Sequence, residues 1–406
     1  MRILHTADWH VGRTFHRADL HEAQAAALDA LVALAQEHRP DAILVAGDLF
    51  DRAIPPVAAV ELACGALARL ARVAPVLAIT GNHDSPGRLG PFARLIEAAG
   101  VHLRSGVDDV NRPLVLEDEH GPVALYGVPY LEPDVTHEAL GAGERSHAAV
   151  LGAAMDRVRA DAAGRDGTAR IVVTAHAFVH GGQVSPSERD ITVGGAAEVA
   201  ASTFSGVDYL ALGHLHQPHA VAPGARYAGS PVAYSFVEGR IPRSAVLVEL
   251  GAPGEPVTER LLPLPTWRAT AELRGRLADL LDDPAHDALA DRWLRVTLTD
   301  DERPASPMER LRARFPHVLV LEHEPEGRPA TRARTDYAAR VRGVGDLEVA
   351  MRFVDDVRGR AADDAERDLL DRAVVAARRE EPASRPTRKD ADRGRVPVGA
   401  GDRPGR

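Results

Sequence analysis

Cysteine and lysine are almost absent from this chain of 406 residues: Cys64 is its one thiol and Lys389 its one lysine. A single cysteine excludes an intramolecular disulfide and suits a reducing compartment. It reads as a small buried hydrophobe on a helix. Nearly all of the 49 Lys and Arg residues are therefore arginine. Beside abundant Ala, Gly and Pro, that bias reads as a GC-rich genome rather than an arginine-specific function. No apolar run approaches the ~18 residues of a membrane span. The start, Met1-Arg2-Ile3-Leu4-His5, reaches Asp8 too soon for a signal peptide. A cytoplasmic protein with no membrane partner is expected. Excess positive charge is lacking too. The net charge of −10 argues against a chain-wide polyanion-binding surface, while leaving room for a local basic groove. No internal repeat is visible, which sets repeat architectures aside.

What is present is a strand–helix alternation long enough for two or three domains. Residues 1–6 read as a strand ending at Asp8-Trp9-His10. Residues 18–38 read as a helix, with Leu20, Leu28, Leu31, Leu34 and Ala35 at helical steps. Asp41 to Ala46 is a second strand ending at Gly47-Asp48, and 56–72 a helix with prolines at its start. Val76 to Ile79 is a third strand, ending at Gly81-Asn82-His83-Asp84, and a helix over 88–98 follows. Short strands then dominate: Leu114–Leu116, Val123–Val128, Ile171 to Thr174 ending at His176, and Asp208 to Leu212 ending at Gly213-His214-Leu215-His216. A helix is expected over 144–160. Arg226–Tyr227 and Ala245–Leu250 are expected to continue a second sheet. The fold class is α/β: a layered two-sheet sandwich flanked by helices, with a small α+β domain and C-terminal helices. Leu262-Pro263-Leu264-Pro265 reads as a linker. Residues 268–323 then read as helix, strand, helix, strand. A charged second linker over 324–344 leads to helices at about 345–358 and 363–379, the second with a capping box at Asp363 and Glu366. Residues 381–406, rich in Pro, Arg, Asp and Gly, read as a disordered tail.

Chemistry gathers at strand ends. Asp8 and His10 are two apart, as are His214 and His216, so each pair can share a side of an extended segment. Gly47, Gly81 and Gly213 each precede a polar residue at a turn. The inventory is two Asp, Asn82, and His10, His176, His214 and His216, with His83 to spare. Mixed oxygen and imidazole donors suit Mn²⁺, Fe²⁺ or Zn²⁺ rather than Ca²⁺. Seven donors exceed one tetrahedral site and suit two ions ~3.5–4 Å apart.

The order Asp-x-His, Gly-Asp, Gly-Asn-His-Asp, His, Gly-His-x-His resembles the calcineurin-like metallophosphoesterases. The resemblance implies two divalent cations. Asp8, His10 and His216 would hold the first, Asn82, His176 and His214 the second, and Asp48 would bridge them. His83 would contact phosphate and protonate the leaving oxygen. Asp84 would either orient His83 or cap the following helix. The finer likeness is to the SbcD family of bacterial nuclease subunits. It rests on Ile3-Leu4-His5-Thr6-Ala7-Asp8-Trp9-His10, on Ser187-Glu188-Arg189 with Val193-Gly194-Gly195, and on Tyr227-Ala228-Gly229-Ser230-Pro231 with Tyr234-Ser235-Phe236.

That likeness implies a Mn²⁺-dependent DNA exonuclease and endonuclease, nucleoid-associated, working as a homodimer within a heterotetramer with the SMC-like ATPase SbcC. Residues 1–262 would be the nuclease domain and 268–323 a capping DNA-binding domain. The helix pair 345–379 would dock on the ATPase through Leu347, Met351, Val354, Leu369, Leu370, Ala373 and Val374, unless those stripes pack on this protein's own body. Helices near 56–72 and 88–98 would form the dimer contact, or simply a core. Arg13, Arg17, Arg88, Arg104 and Arg189 lie near motif loops and are candidates for DNA phosphates. Trp9 either lines the groove or packs. Asp51 stands where some relatives carry a second phosphate-contacting His. Two other functions compete. One is a phosphomonoesterase or small-molecule phosphodiesterase, in which Arg52 would grip phosphate. The other is a catalytically silent DNA-binding scaffold.

Overall fold

The computed structural model describes residues 1–165, 169–182, 186–188, 198–326, 343–358 and 360–380. Arg189, Val193-Gly194-Gly195 and the tail expected over 381–406 lie outside them. The chain divides into two compact units, Met1–Glu326 and Gly327–Arg406.

The first unit holds two six-stranded sheets, a three-stranded one and a two-stranded hairpin. In chain order the strands are β1 (Arg2–Thr6), β2 (Thr14–Phe15), β3 (Ala18–Asp19), β4 (Ala42–Ala46), β5 (Val76–Ile79), β6 (Val101–Arg104), β7 (Leu114–Asp118), β8 (Gly121–Val128) and β9 (Arg170–His176). They continue as β10 (Tyr209–Gly213), β11 (His219–Ala222), β12 (Ala225–Tyr227), β13 (Ser244–Glu249), β14 (Thr258–Pro263), β15 (Thr270–Gly275), β16 (Trp293–Leu298) and β17 (Val318–His323). The first sheet runs β14-β13-β1-β4-β5-β6 and the second β11-β12-β10-β9-β8-β7. The first is parallel from β1 to β6 and antiparallel through β13 and β14; the second has a parallel centre with an antiparallel strand at each edge.

Alternating side chains divide the core. Ile3, Ala42, Leu44 and Leu77 face Val123, Leu125, Val172 and Tyr209 between the two sheets. Their neighbours Leu4, Ile43, Val45 and Val76 face the helices α1 (His21–His38) and α2 (Val57–Ala71). On the other side Tyr126, Val173 and Leu210 pack beneath α5 (Pro133–Leu140) and α6 (His147–Ala163), which come after the short α3 (Pro86–Leu89) and α4 (Ala93–Glu97). Strands buried on both faces must read as unbroken apolar runs, and β4, β5 and β10 do.

Several expectations are corrected. Residues 244–249 join the first sheet, antiparallel to β1 with Ile3 opposite Val248, rather than the second. Leu262 and Pro263 close the edge strand β14 instead of forming a linker. The helix expected over 88–98 is interrupted at Gly90–Phe92, because Pro91 has no N–H to donate to a continuing helix. The helix expected over 18–38 begins at His21, after the β2–β3 hairpin. A strand, β15, precedes the short helix α7 (Leu277–Asp282), and with β16, β17 and α8 (Pro307–Arg314) it makes a parallel three-stranded layer. Trp293 of that layer joins Phe15, Leu20 and Phe236 in one buried cluster, which ties the layer to the two-sheet body. Cys64 is exposed, not buried.

In the second unit, α9 (Asp346–Arg358) and α10 (Asp364–Glu380) pack against one another. The capping box is formed: Asp363 Oδ1 accepts from Glu366 N (2.9 Å) and Glu366 Oε2 from Asp363 N (3.1 Å). Leu347, Met351, Val354, Leu370 and Val374 are half-buried; Leu369, Phe353, Val357 and Ala373 are exposed. No helix among the described residues is long and apolar enough to cross a membrane.

Candidate metal centre

β1, β4 and β5 of the first sheet and β9 and β10 of the second end at the same edge. The backbone turns sharply there. Asp8 (φ 53°), His10 (43°), Asp48 (49°) and His214 (106°) all adopt left-handed conformations without being glycine. Each such conformation costs about 1–3 kcal/mol and persists only where surrounding bonds hold it. Asp8 N donates to Gly47 O (3.1 Å) and His10 N to Asp48 O (2.9 Å). Two glycines leave the room this packing needs. A Cβ on Gly47 would lie 2.2 Å from His176 Nδ1, and one on Gly81 would lie 2.2 Å from Asp48 Oδ1.

The donors fall into two groups. Asp8, His10 and His216 form the first, with ligand-type atoms all within 4.8 Å of one another and the two Nε2 atoms 3.0 Å apart. In the second, Asn82 Oδ1 lies 2.8 Å from His176 Nε2 and 3.3 Å from His214 Nδ1. Asp48 Oδ2 lies 3.5 Å from both His10 Nε2 and His176 Nε2, so it faces both groups. Its other oxygen accepts from His83 N at 2.8 Å.

The electrostatics suit cations. Burial holds His10 and His214 well below the usual imidazole range, takes His176 down to about 4, and lowers His216. All four are therefore neutral lone-pair donors near pH 7. Burial and the neighbouring Asp48 charge raise the Asp8 carboxyl well above its usual value. Burial lifts Asp48 to about 6 against the pull of His83. Desolvated carboxylates shifted this way call for positive charge. His176 gives its Nδ1–H to Ala46 O (3.0 Å), so its Nε2 lone pair faces Asn82 Oδ1 as the amide is oriented here. A cation reconciles two such acceptors. The donor set fits two divalent ions: Asp8, His10 and His216 would hold one, Asn82, His176 and His214 the other, and Asp48 would touch both.

His83 is half-buried at the rim, its ring 4.7 Å from that of His10. Its orientation is set by Asp51, whose carbonyl accepts from His83 Nδ1 at 2.7 Å, which leaves the Nε2 side of the ring uncommitted to that bond. Asp84 fills neither role expected of it. Its buried carboxylate accepts from the backbone N–H of Leu49 (3.1 Å), Phe50 (3.0 Å) and Gly81 (3.0 Å), tying the Asp48 loop to the Asn82 loop. Burial, then the Asp48 charge, pushes Asp84 up to about 7, while these three donors pull it back. Adjacent residues in a tight turn point different ways, so sequence proximity to His83 was a poor guide.

The arginines separate. Arg13 is committed internally: it donates to Ser187 O, pairs with Asp51 at 3.6 Å and lies over the Tyr234 ring. Arg104 is buried and donates to Arg112 O (2.8 Å) and Leu103 O (3.1 Å), so it is no phosphate contact. Arg17 and Arg88 are exposed. Trp9 is buried, with Nε1 donating to Thr6 Oγ1 at 3.1 Å, and packs rather than lines a groove. Arg52 lines an apolar groove beside α2, and Arg88 stands at that same groove. Sequence reasoning missed Gln24, Glu238 and Arg243, buried polar residues that bond the ligand loops. Only the Tyr234-Ser235-Phe236 signature, two residues before Glu238, hinted at them.

Residues 1–218 match the profile of the calcineurin-like phosphoesterases, and residues 263–358 match one described as the type 5 capsule protein repressor C-terminal domain. The chain is 29% identical over 332 residues to the D subunit of the SbcCD nuclease of Staphylococcus saprophyticus, covering 80% of this chain and 85% of that one. Among solved structures, it is 14% identical to TT1561 of Thermus thermophilus, with 64% of this chain and 98% of that one covered and a TM-score of 0.35. It is 13% identical to a dimetal phosphatase from Danio rerio, with 65% and 96% covered and a TM-score of 0.39.

Proposed function

The chain belongs to the calcineurin-like phosphoesterase family, whose profile covers 218 of its 406 residues, and from that membership we propose that it is a Mn²⁺-dependent DNA nuclease. It would act with the SMC-like ATPase SbcC, degrading duplex ends in the 3′ to 5′ direction and cutting single strands and hairpins. The carrying observation is the convergence of Asp8, His10, Asp48, Asn82, His176, His214 and His216 at the meeting edge of two sheets, with His83 beside them. DNA is favoured as substrate by the likeness to an SbcCD nuclease subunit along most of the chain, including residues beyond the catalytic profile.

When bound, two divalent cations would supply positive charge against the phosphodiester oxygens and lower the pKa of water so that hydroxide is available near neutral pH. The protein's own work is positional. Asp51 O holds the His83 ring so that Nε2 can deliver a proton to the leaving oxygen. Asp84 keeps the Asp48 and Asn82 loops in register. Exposed Arg17 is the remaining described candidate for a DNA phosphate away from any groove; Arg88, also exposed, would serve only where the groove beside α2 leaves it open.

The α9–α10 hairpin, which exposes Phe353, Val357 and Leu369, suits docking on a coiled coil of the ATPase. A groove of ≈ 380 Å³ beside α2 and α4, rimmed by exposed Val60 and Phe92, suits a second copy of this chain.

The test is the purified chain with Mn²⁺ on linear duplex DNA, single-stranded DNA and a phosphomonoester, with Asp48→Asn as control. Mn²⁺-dependent DNA cleavage lost in the control supports the reading. Cleavage of the monoester alone overturns it in favour of a phosphatase. Silence on all three substrates, even with SbcC and ATP added, overturns it in favour of a scaffold.

A further inference from the structure

Among the described residues, His216 is the one ligand-type imidazole whose far nitrogen meets side chains rather than backbone. Its Nδ1 lies 2.8 Å from Ser187 Oγ and 3.4 Å from Glu238 Oε1. Ser187 Oγ in turn donates to Glu238 Oε1. That direction settles the tautomer. The serine proton is committed to the carboxylate, so the oxygen's lone pair takes the imidazole Nδ1–H. Nε2 is left bare, facing the first donor group.

The relay is firmly held. Glu238 is fully buried in the turn Glu238–Arg240 and also accepts from Tyr234 N (2.8 Å) and Ser235 Oγ (3.1 Å). A carboxylate taken from water this completely is tolerable only with such partners. Arg243 clamps the two backbones together, donating to His216 O (3.0 Å) and Glu238 O (3.0 Å). From the other side, Glu188 Oε1 accepts His216 N at 2.6 Å, and Arg13 grips Ser187 O.

The second donor group is built differently. His176 takes its tautomer from a backbone carbonyl, Ala46 O. In the first group, His10 Nδ1 has no hydrogen-bond partner among the described residues. Of the imidazoles in that group, His216 alone is oriented by side chains.

We propose that Ser187 and Glu238 are positioning residues that act through His216. They lock its Nδ1–H tautomer and so set the divalent-cation affinity of the Asp8, His10, His216 group, independently of the Asn82, His176, His214 group. The proposal rests on the dinuclear reading above.

The experiment is calorimetric titration of the full chain with Mn²⁺ alone, comparing wild type, Ser187→Ala, Ser187→Thr and Glu238→Gln, with thermal melts alongside. Two equivalents are expected for wild type. Ser187→Ala and Glu238→Gln should weaken one equivalent about 10–100-fold and spare the other. Ser187→Thr, which keeps the hydroxyl, should restore it. If Glu238→Gln does not fold, the two Ser187 variants decide alone. Two wild-type affinities in folded Ser187→Ala overturn the proposal. So does equal weakening of both equivalents in step with a lower melting point. A wild-type chain that binds no Mn²⁺ instead overturns the dinuclear reading, and this inference with it.

Discussion

Replacing Gln24 with leucine should loosen the loop that carries His10. Gln24 is 2% exposed on α1 and spans that loop: its Nε2 donates to His10 O (2.9 Å) and its Oε1 accepts from Gly12 N (3.0 Å). Leucine matches the volume but removes both bonds, and with them the longer one that Nε2 donates to Tyr234 OH (3.4 Å). Gly12 N–H loses its partner in a half-buried place, which costs about 1–2 kcal/mol. His10 O keeps a bond from Arg13 N (3.0 Å), so its loss is roughly 0.5–1 kcal/mol. Tyr234 OH still donates to Trp9 O and loses little. Leucine recovers about 0.5–1 kcal/mol because no amide is desolvated. The net expectation is a loss of about 1–2 kcal/mol. It falls on a residue whose own backbone, at φ 43°, needs outside support. Urea unfolding in chelator measures the stability, and Mn²⁺ titration measures the site, where one equivalent should weaken roughly 10-fold. Gln24→Glu should be worse than Gln24→Leu, because it sets a carboxylate oxygen against His10 O. A leucine variant within ~0.5 kcal/mol of wild type and with unchanged Mn²⁺ binding would refute the claim that Gln24 holds the loop.

Further expectations follow from the same geometry. His83→Gln should retain two Mn²⁺ equivalents yet lose at least ~10²-fold in turnover; full turnover would sink the acid role. In chelator, buried imidazoles and buried carboxyls should oppose one another between about pH 4 and 7. Imidazoles held neutral by burial, such as His176 at about 4, bind protons more readily once unfolded, so their contribution falls as pH drops from the usual imidazole range toward 4. Asp48 at about 6 and Asp84 at about 7 bind protons more tightly when folded, so their contribution is full near pH 4 and fades as pH rises through those values. Saturating Mn²⁺ should abolish the carboxyl loss, and melting curves from about pH 4 to 8 with and without Mn²⁺ check both trends. Removing residues 345–406 should abolish pull-down of the ATPase while leaving Mn²⁺ binding intact; retained pull-down would place the dock elsewhere. Phe92→Glu with Leu95→Glu, both at exposed positions, should halve the mass seen by light scattering if the α2–α4 groove joins two copies.

The two-sheet layout was legible because its strands announce themselves. β4, β5 and β10 are short apolar runs that stop at a glycine followed by a metal-type side chain, and helical spacing fills the gaps. The sheet to which a buried strand belongs is not written in its periodicity. β13 is buried along nearly all its length and reads the same beside β1 as beside β12. β15 escaped notice because only Thr270 and Leu273 are buried in it, too few to show a period of two. The donors at the site were readable one strand end at a time. Their supports were not. Gln24 lies on a helix and Glu238 in a turn, and neither carries a local pattern that separates it from an exposed polar side chain; Ser187 stands in a recognisable signature, but nothing in it names His216 as its partner. Only the tertiary fold reveals that Glu238 has no water around it.

The donors are also far apart along the chain. His10 and His216 are separated by 206 positions, His176 and Asn82 by 94, yet each pair stands within about one hydrogen-bond length. A ribosome releases the chain N-terminal end first, at roughly 5–20 residues per second. For about ten seconds or more, Asp8 and His10 exist without the second sheet that completes their half of the centre. Nascent and half-folded copies therefore hold no intact pair of metal pockets. The centre therefore closes only once synthesis has passed the middle of the chain, and its timing is set by the order in which the two sheets are made.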